Sequence, residues 1–373
     1  MNKYFLIAGE ASGDMHAAAL IQQLRCKDSQ ARFVGLGGDR MAAAGCRLYQ
    51  HYKNMAFMGF AAVLRNLGQV RRNFRIARQA LLEEKPDVLI LVDYPSFNLK
   101  IASFCRQHLP STKIYYYIPP KVWAWKRWRI HQICRLCDKV LGIFPFEPDF
   151  YTRYGYSCTY VGNPTMEEIT HWTSAHPYVD TPSSPYIVLL PGSRLSEVKH
   201  CLPRMMEAAR RMEGYRIVVT AAPGLTDDVY TEYLIHGETL TRDTYTAVRY
   251  AEAAVVNSGT ATLETALLGC PQVAVYHLAL SPLIALLRRW MQPIIFRIPY
   301  FTLVNIIAGK QVIRECVAND FSVTNVENEL RRLLTDGTYK KNMLDSYEHI
   351  SAILGNQSAA ETAAQIIVLH RHP

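Results

Sequence analysis

The sequence has no uncharged apolar run of the roughly 20 residues that a bilayer-spanning helix needs. The nearest approach, Leu278 to Phe296, is broken by Pro282, Arg288, Arg289 and Pro293, so it reads as an interfacial or buried helix pair. No secretory leader is recognisable, and the nine cysteines are scattered and odd in number. That argues against a disulfide framework and leads us to expect a reduced, cytoplasmic setting. Only Cys134 and Cys137 have C-x-x-C spacing. With no second pair nearby and a basic, helix-like context, they read as structural cysteines rather than a zinc or redox site. Also missing are a D-x-D element, a G-x-G-x-x-G fingerprint, the Lys-Ser/Thr of a P-loop, and any RRM, KH or zinc-finger signature. Acidic side chains are the minority, 32 against 41 basic ones, for a formal net charge of +9. Such a chain prefers an anionic partner: nucleic acid, a phosphorylated substrate or a membrane surface. Charge spread along the whole chain is a poor nucleic-acid footprint, and nucleic acid is not expected.

What is present is α/β alternation. The 373 residues, 49% hydrophobic, suffice for two globular domains with a core in each. In the first half "KYFLIA", "RFVGLG", "DVLILV", "KIYYYI" and "KVLGIF" are near-continuous apolar runs, as expected of parallel strands covered on both faces. The second half repeats the pattern with "YIVLL", "YRIVVT", "AEAAVV" and "PQVAVY". Between them, residues 161–185 lose periodicity to Pro, Ser, Thr and His and read as an interdomain linker. We expect one domain over 1–165 and another over 185–340, facing each other across a cleft of the kind that holds small molecules. Residues 340–373 read as helices that either pack back on the first domain or exchange between two chains.

The strand ends carry the chemistry. In "FLIAGEASGDMHAAALIQQL", Gly9 and Gly13 allow a tight turn into a helix whose start, with Ser12, can face an anion. The same loop can equally serve to pack the helix on its sheet. Arg194, in "LLPGSR" with Gly192 and Ser193, stands where open α/β sheets place ligands. In "VVNSGTATLE", Ser258 and Thr260 can cap a helix, Gly259 lets a phosphate approach, and Glu264 lies about one turn further on. A capped helix with an exposed glutamate is the alternative. Asp93 follows the strand "DVLILV" and is either a base in the cleft or the cap of the helix near Pro95.

Nine motifs occur in order from residue 7 to about 320: "AGEASGD", "GFAAVLRNL", "VDYPSFN", "VWAWKRWRI", "FPFEPDFY", "VGNP", "LPGSR", "NSGTATLE" and "PYFTLVNIIAGK". In this series the chain resembles the lipid-A-disaccharide synthases, a family of inverting glycosyltransferases. The resemblance implies a GT-B fold of two Rossmann-like domains, acceptor mainly on the first and UDP-sugar on the second. It implies transfer of 2,3-diacylglucosamine from its UDP derivative to the 6-hydroxyl of 2,3-diacylglucosamine 1-phosphate, giving a β-1,6 disaccharide and UDP. No cofactor is implied. The reaction belongs at an anionic membrane surface, the cytoplasmic face of the inner membrane of a Gram-negative-type bacterium, and a homodimer is compatible with it. By the same resemblance Asp93 is the base, with His277 and Glu10 in reserve. Arg194 meets the UDP diphosphate together with Ser258, Gly259 and Thr260, Glu264 meets the ribose, and Asn305 and Glu315 lie near UDP or the diacylglucosamine.

The chain departs from the family pattern at Val304, Lys310 and Ala318, where proline, arginine and glutamine are usual. Ser96 stands where an acidic residue often does, leaving Asp93 the one carboxylate of "DYPSFN". Other readings are a sibling GT-B enzyme of UDP-N-acetylglucosamine, against which "VDYPSFN" and "VWAWKRWR" argue, and a non-catalytic membrane-surface scaffold, against which Asp93, Arg194 and Glu264 argue.

Overall fold

A computed structural model describes residues 2–55, 67–124, 127–179, 184–257, 259–277 and 300–370. The chain divides into two compact units, Met1–Glu167 with Asn356–Pro373, and Glu168–Gly355. Leu278 to Phe296 lie outside the described residues.

The strands of the first unit are β1 (Lys3–Ala8), β2 (Arg32–Gly37), β3 (Arg47–His51), β4 (Val88–Val92), β5 (Lys113–Tyr117), β6 (Lys139–Gly142) and β7 (Thr159–Tyr160). All pair in parallel, in the order β3-β2-β1-β4-β5-β6-β7. Parallel pairing needs crossovers, supplied by helices α1 (Ala11–Lys27), α2 (Asp39–Ala43), α3 (Leu67–Glu84), α4 (Pro95–His108), α5 (Arg129–Leu136) and α6 (Glu147–Thr152). The strand order reverses between β1 and β4, the switch point at which doubly wound sheets open a crevice.

The boundary between the units, Glu167 to Glu168, falls within the 161–185 segment, but that segment carries a helix, α7 (Pro164–Ala175), which its composition did not reveal. Asn163 accepts the Met166 N–H at 3.1 Å, and Pro164 occupies the first helical position, where its missing N–H costs nothing. This local cap outweighs the polar composition that follows it.

The second unit contains β8 (Tyr186–Leu190), β9 (Arg216–Thr220), β10 (Thr239–Thr241), β11 (Ala253–Asn257), β12 (Gln272–Tyr276) and β13 (Arg314–Val317). These strands also run parallel, in the order β10-β9-β8-β11-β12-β13, with the switch between β8 and β11. Its helices are α8 (Leu195–Arg210), α9 (Asp228–Thr231), α10 (Thr244–Arg249), α11 (Gly259–Leu267), α12 (Leu303–Ala308), α13 (Val323–Thr335) and α14 (Gly337–Leu354).

Strands β4, β8 and β11 are buried at all five positions, which is why they read as unbroken apolar runs. The last helix, α15 (Ala359–Leu369), returns to the first unit. Its Ala359, Ala363, Ala364 and Ile367 share a buried cluster with Ala17, Leu20, Ile21 and Leu24 of α1. Small residues on both helices allow close approach, and Lys27 pairs with Glu361 at 3.4 Å on the rim. Ile367 is fully buried. Ile367→Ala is therefore expected to cost about 2 to 5 kcal/mol, read as a lower denaturant midpoint with an unchanged m value.

Candidate functional site

The end of β4 is the most constrained backbone in the first unit. Asp93 and Tyr94 both adopt left-handed conformations (φ 43° and 46°), and so does Ile118 (φ 57°) at the end of neighbouring β5. Non-glycine residues in that region cost of order 1 to 3 kcal/mol each, so something must hold them. The Asn98 amide donates to the carbonyls of Asp93 (2.7 Å) and Val92 (3.2 Å). The Tyr116 hydroxyl also donates to the Asp93 carbonyl, and the Asp93 N–H to Ile118. The backbone is thus fixed from three sides, and Asp93 keeps solvent-accessible surface as a residue although protein atoms crowd its carboxyl.

Gly9 joins this edge to the loop after β1. A Cβ there would stand 2.3 Å from the Tyr94 ring, so only glycine lets the two loops meet. Glu10 is close enough to raise the Tyr94 hydroxyl, adding to the effect of burial. Ser12 is exposed in the first turn of α1 and Gly13 is buried behind it. Asp14, also buried, accepts the N–H groups of Gly38, Arg40 and Met41 at 2.6 to 3.1 Å, tying α1 to α2.

Solvent exclusion raises the Asp93 carboxyl above its usual range, opposed by the Lys121 ammonium and a bond from the Tyr94 N–H. Lys121 keeps an exposed stem, but protein atoms crowd its ammonium and lower its pKa, while Asp93 and Glu147 pull the other way. Glu147 is fully desolvated and pushed up to about 7, although it accepts the N–H groups of Ile143 and Phe144 and the Trp123 indole N–H. The two carboxyls divide the labour: Asp93, with surface access and a raised pKa, can take a proton from a ligand, and the buried, braced Glu147 holds its loop.

In the second unit the ends of β8 and β11, paired neighbours, bring the other predicted residues together. The Asn257 amide donates to the Pro191 carbonyl at 2.8 Å, linking the loop of Gly192, Ser193 and Arg194 to the loop that leads into Gly259 and Thr260. Ser258 lies outside the described residues. Gly192 has φ 113°, and a Cβ on it would stand 2.6 Å from Glu197 Oε2 and 2.8 Å from the Asn257 amide. Arg194 caps α8 with extended backbone. The Ser193 and Arg194 N–H groups both go to Glu197 Oε2, and the guanidinium pairs with Glu197 Oε1 at 2.7 Å. One of the five N–H donors of the guanidinium makes that bond, and the side chain remains 59% exposed.

Gly259 and Thr260 open α11, and among the described residues a Cβ on Gly259 would meet open space. Glu264, half-buried on the same helix, is pushed up to about 7 by burial and the charge of Glu168. Near neutrality it can both accept and donate hydrogen bonds, which suits a pair of sugar hydroxyls.

Asn305 and Glu315 are brought to 2.9 Å of each other, and both are engaged by protein. Asn305, fully buried, accepts the Val312 and Ile313 N–H groups and donates to the Ile313 carbonyl. Glu315 accepts from the Phe301 and Thr302 N–H groups and the Thr302 hydroxyl. The pair braces the turn into α12. His277 stacks on His200 at 4.5 Å, and burial, His200 and Arg204 lower its pKa. Burial pushes the Cys134 thiol up to about 12 and raises Cys137 as well, so both favour the neutral form.

Residues 4–368 match the family model described as lipid-A-disaccharide synthetase. The lipid-A-disaccharide synthases of Myxococcus xanthus and Trichlorobacter lovleyi are each 34% identical to this chain over 98% of it and 97% of their own length. The chain belongs to the lipid-A-disaccharide synthase family. Among solved structures the backbone is similar to MurG from Acinetobacter baumannii (TM-score 0.60, 14% identity, 99% of this chain and all of that one). It is also similar to the glycotransferase of kitacinnamycin (TM-score 0.64, 12% identity, 100% and 99% covered). At those identities the likeness establishes the GT-B fold alone, two Rossmann-like parallel sheets. As a lipid-A-disaccharide synthase the protein is a glycosyltransferase of lipid A biosynthesis.

Sequence reasoning did not single out Glu197, Asn257 or Lys121. Glu197 had a signal, a glutamate three residues past the cap, as in a capping box. Asn257 and Lys121 act across neighbouring strands, which spacing along the chain does not report.

A lipid-A-disaccharide synthase using Asp93 as base needs it ionised, so kcat/KM should fall as pH drops through its raised pKa. That acidic limb should lie above the ordinary carboxylate range. Lys121→Met removes the cation that holds Asp93 down and should move the limb to higher pH in a pH–rate profile.

Proposed function

We propose that Asp93 takes the proton from the 6-hydroxyl of 2,3-diacylglucosamine 1-phosphate as that oxygen attacks C1 of UDP-2,3-diacylglucosamine from the face opposite UDP. The C1–O bond to the diphosphate breaks with its electron pair on UDP, and a β-1,6 disaccharide forms. Arg194, oriented by Glu197, directs its remaining N–H donors at the diphosphate oxygens. The Gly259 and Thr260 end of α11 adds backbone donors, and Glu264 holds the ribose. The observation that carries this reading is that both residue sets occupy the switch points of their sheets, Asp93 after β4 beside the β1 loop, and Arg194 and Gly259 after β8 and β11.

The membrane-surface partner is supported by a groove of about 590 Å³ between α3 and α4. Arg71, Arg75, Arg78 and Lys100 line it, together with Phe74 and Phe104, and no lining residue is acidic. The Arg78 guanidinium lies 5.1 Å from the Phe104 ring and the Lys100 ammonium 5.2 Å from the Phe74 ring. Cations over half-buried rings suit anionic headgroups with acyl chains beneath them.

With both substrates in detergent, mass spectrometry should find UDP and a disaccharide phosphate together. Asp93→Asn should keep UDP binding and lose about 10²- to 10⁴-fold in turnover. Near-normal turnover would remove the base assignment. Arg75→Ser with Arg78→Ser should reduce flotation with anionic vesicles and leave the weak signal with zwitterionic vesicles unchanged, and salt should mimic the substitution.

A further inference from the structure

Glu264, which meets the ribose in the reaction above, does not stand alone. Helices α7, α10 and α11 pack on one buried cluster, α7 through Ile169, α10 through Ala247 and Val248, and α11 through Ala261 and Leu267. There the half-buried Tyr245 of α10 meets the Trp172 ring of α7 edge-on at 5.5 Å. Its hydroxyl feels the charge of Glu264 of α11 and bonds to Glu168 of α7, and both add to the effect of burial in raising it. Glu168 is exposed, and its charge acts on Glu264 as well. Two carboxyls and a phenol thus share one corner of the second unit, and among the described residues no cation acts on Glu264. The other charges of the surrounding elements are engaged elsewhere or exposed. Glu167 of α7 accepts from the Ser358 hydroxyl and the Ala359 N–H, and His171 is exposed. Arg249 of α10 lies over the Trp172 and Tyr178 rings and donates to the His176 carbonyl, while Asp243 caps the same helix through the Thr246 N–H. Arg194 pairs with Glu197. Strands β11 and β12 and helix α12 contain no charged residue. Helix α14 reaches α11 through Tyr347, which the Gln272 amide joins to the Thr262 carbonyl. Lys340 of α14 pairs with Glu252, and its Lys341, Asp345, Glu348 and His349 are exposed.

We propose that Glu168, through its charge and the Tyr245 hydroxyl, keeps Glu264 in its neutral acid form, so that the start of α11 receives the diphosphate of the UDP-sugar without an opposing carboxylate. This rests on the assignment made above of the ribose to Glu264 and of the diphosphate to Gly259 and Thr260. Glu264 lies five residues after Gly259 on α11, about 7.5 Å along the helix axis. An ionised carboxylate at that distance repels a doubly charged diphosphate, and physiological salt screens the repulsion only in part. Two neighbouring carboxyls do not both ionise without cost, and the solvated one is the better place for the charge. Glu168 is therefore the carboxylate and Glu264, pushed up to about 7, the acid. A neutral carboxyl still offers one donor and one acceptor to two ribose hydroxyls. Glu168 is a positioning residue: it places a proton and does not touch the UDP-sugar. The bound diphosphate favours the proton on Glu264, so affinity for the UDP-sugar falls as pH rises and that proton is lost.

The test is the Kd for UDP-2,3-diacylglucosamine in detergent, without acceptor, from pH 6 to pH 9, a range in which its diphosphate diester does not titrate. The unaltered protein should lose affinity as pH rises through about 7. Glu168→Gln removes the charge that holds the proton on Glu264, so the loss should begin at lower pH. Binding should then weaken by about threefold to tenfold at pH 7.5 and stay within about twofold at pH 6, which also reports an intact fold. Tyr245→Phe, which takes a hydrogen bond from Glu168, should give a smaller shift in the same direction. Simple repulsion between Glu168 and the diphosphate predicts the opposite, since removing a negative charge would strengthen binding of an anion. A flat pH profile in the unaltered protein, or equal or tighter binding by Glu168→Gln at pH 7.5, would overturn the proposal and leave the ribose assignment in place. That assignment is read separately at pH 6 with UDP and 2′-deoxy-UDP: UDP should bind about tenfold more tightly, and Glu264→Ala should abolish the preference. Equal binding of the two by the unaltered protein, or a preference that survives Glu264→Ala, would remove Glu264 from the ribose and overturn the proposal with it.

Discussion

Parallel pairing throughout both sheets is the constraint on which the rest of the molecule depends. It sends every strand's C-terminal end to one edge of its sheet and makes each connection a crossover. Where the strand order reverses, adjacent crossovers leave on opposite faces and the edge opens. Asp93 with the Gly9 loop, and Arg194 with Gly259, lie at such openings, while Lys121 and Glu147 follow β5 and β6, one and two strands further along the first sheet. The packing serves the same end: fully buried β4, β8 and β11 fix the edge, and short polar contacts tune the loops on it. In the second unit one bond, from the Asn257 amide to the Pro191 carbonyl, makes a single site of two loops far apart in sequence. In the first unit the absent side chain of Gly9 does the equivalent work.

Electrostatics then separate groups that sequence treats alike. Asp14, Asp93 and Glu147 are carboxyls near strand ends or in first helical turns, and Glu264 lies in the second turn of its helix. Asp14 is spent on three backbone N–H groups and Glu147 on two and an indole, so neither is available to a ligand without unmaking a loop. Asp93 has its backbone restrained and keeps surface as a residue, while protein crowds its carboxyl and the Lys121 ammonium acts on it, the arrangement on which the proposed base role rests. Glu264, raised toward neutrality, is suited to hydrogen bonding rather than to holding a full charge.

The fold was legible wherever burial was complete. Runs such as "VLILV" and "YIVLL" read as strands because they are short, rich in β-branched residues and bounded by polar or turn-forming residues, as a strand covered on both faces should be. Edge strands were not legible. β3 reads "RLYQH", only partly buried, and β7 and β10 are two and three residues long, so burial left no pattern in them. α7 was hidden by Pro, Ser, Thr and His, although Asn163 followed by Pro164 is a good helix start. Asp93, Arg194 and Gly259 were legible as polar or small residues breaking apolar strands. What supports them was not, since Asn257 and Lys121 act through space. Asn305 and Glu315 show the converse: their motif marks them, and the structure spends them on each other and on the backbone.

The central proposal is a single displacement in which Asp93 activates the acceptor while Arg194 and backbone N–H donors receive the leaving diphosphate. The anomeric configuration of the disaccharide, read by NMR from the H1–H2 coupling of the newly linked residue, tests it most directly. The account predicts a large diaxial coupling, the β linkage that inversion of an α-linked UDP-sugar produces. A small coupling, marking an α linkage, would mean that configuration is retained, and a single in-line attack assisted by Asp93 could not be the reaction this protein performs.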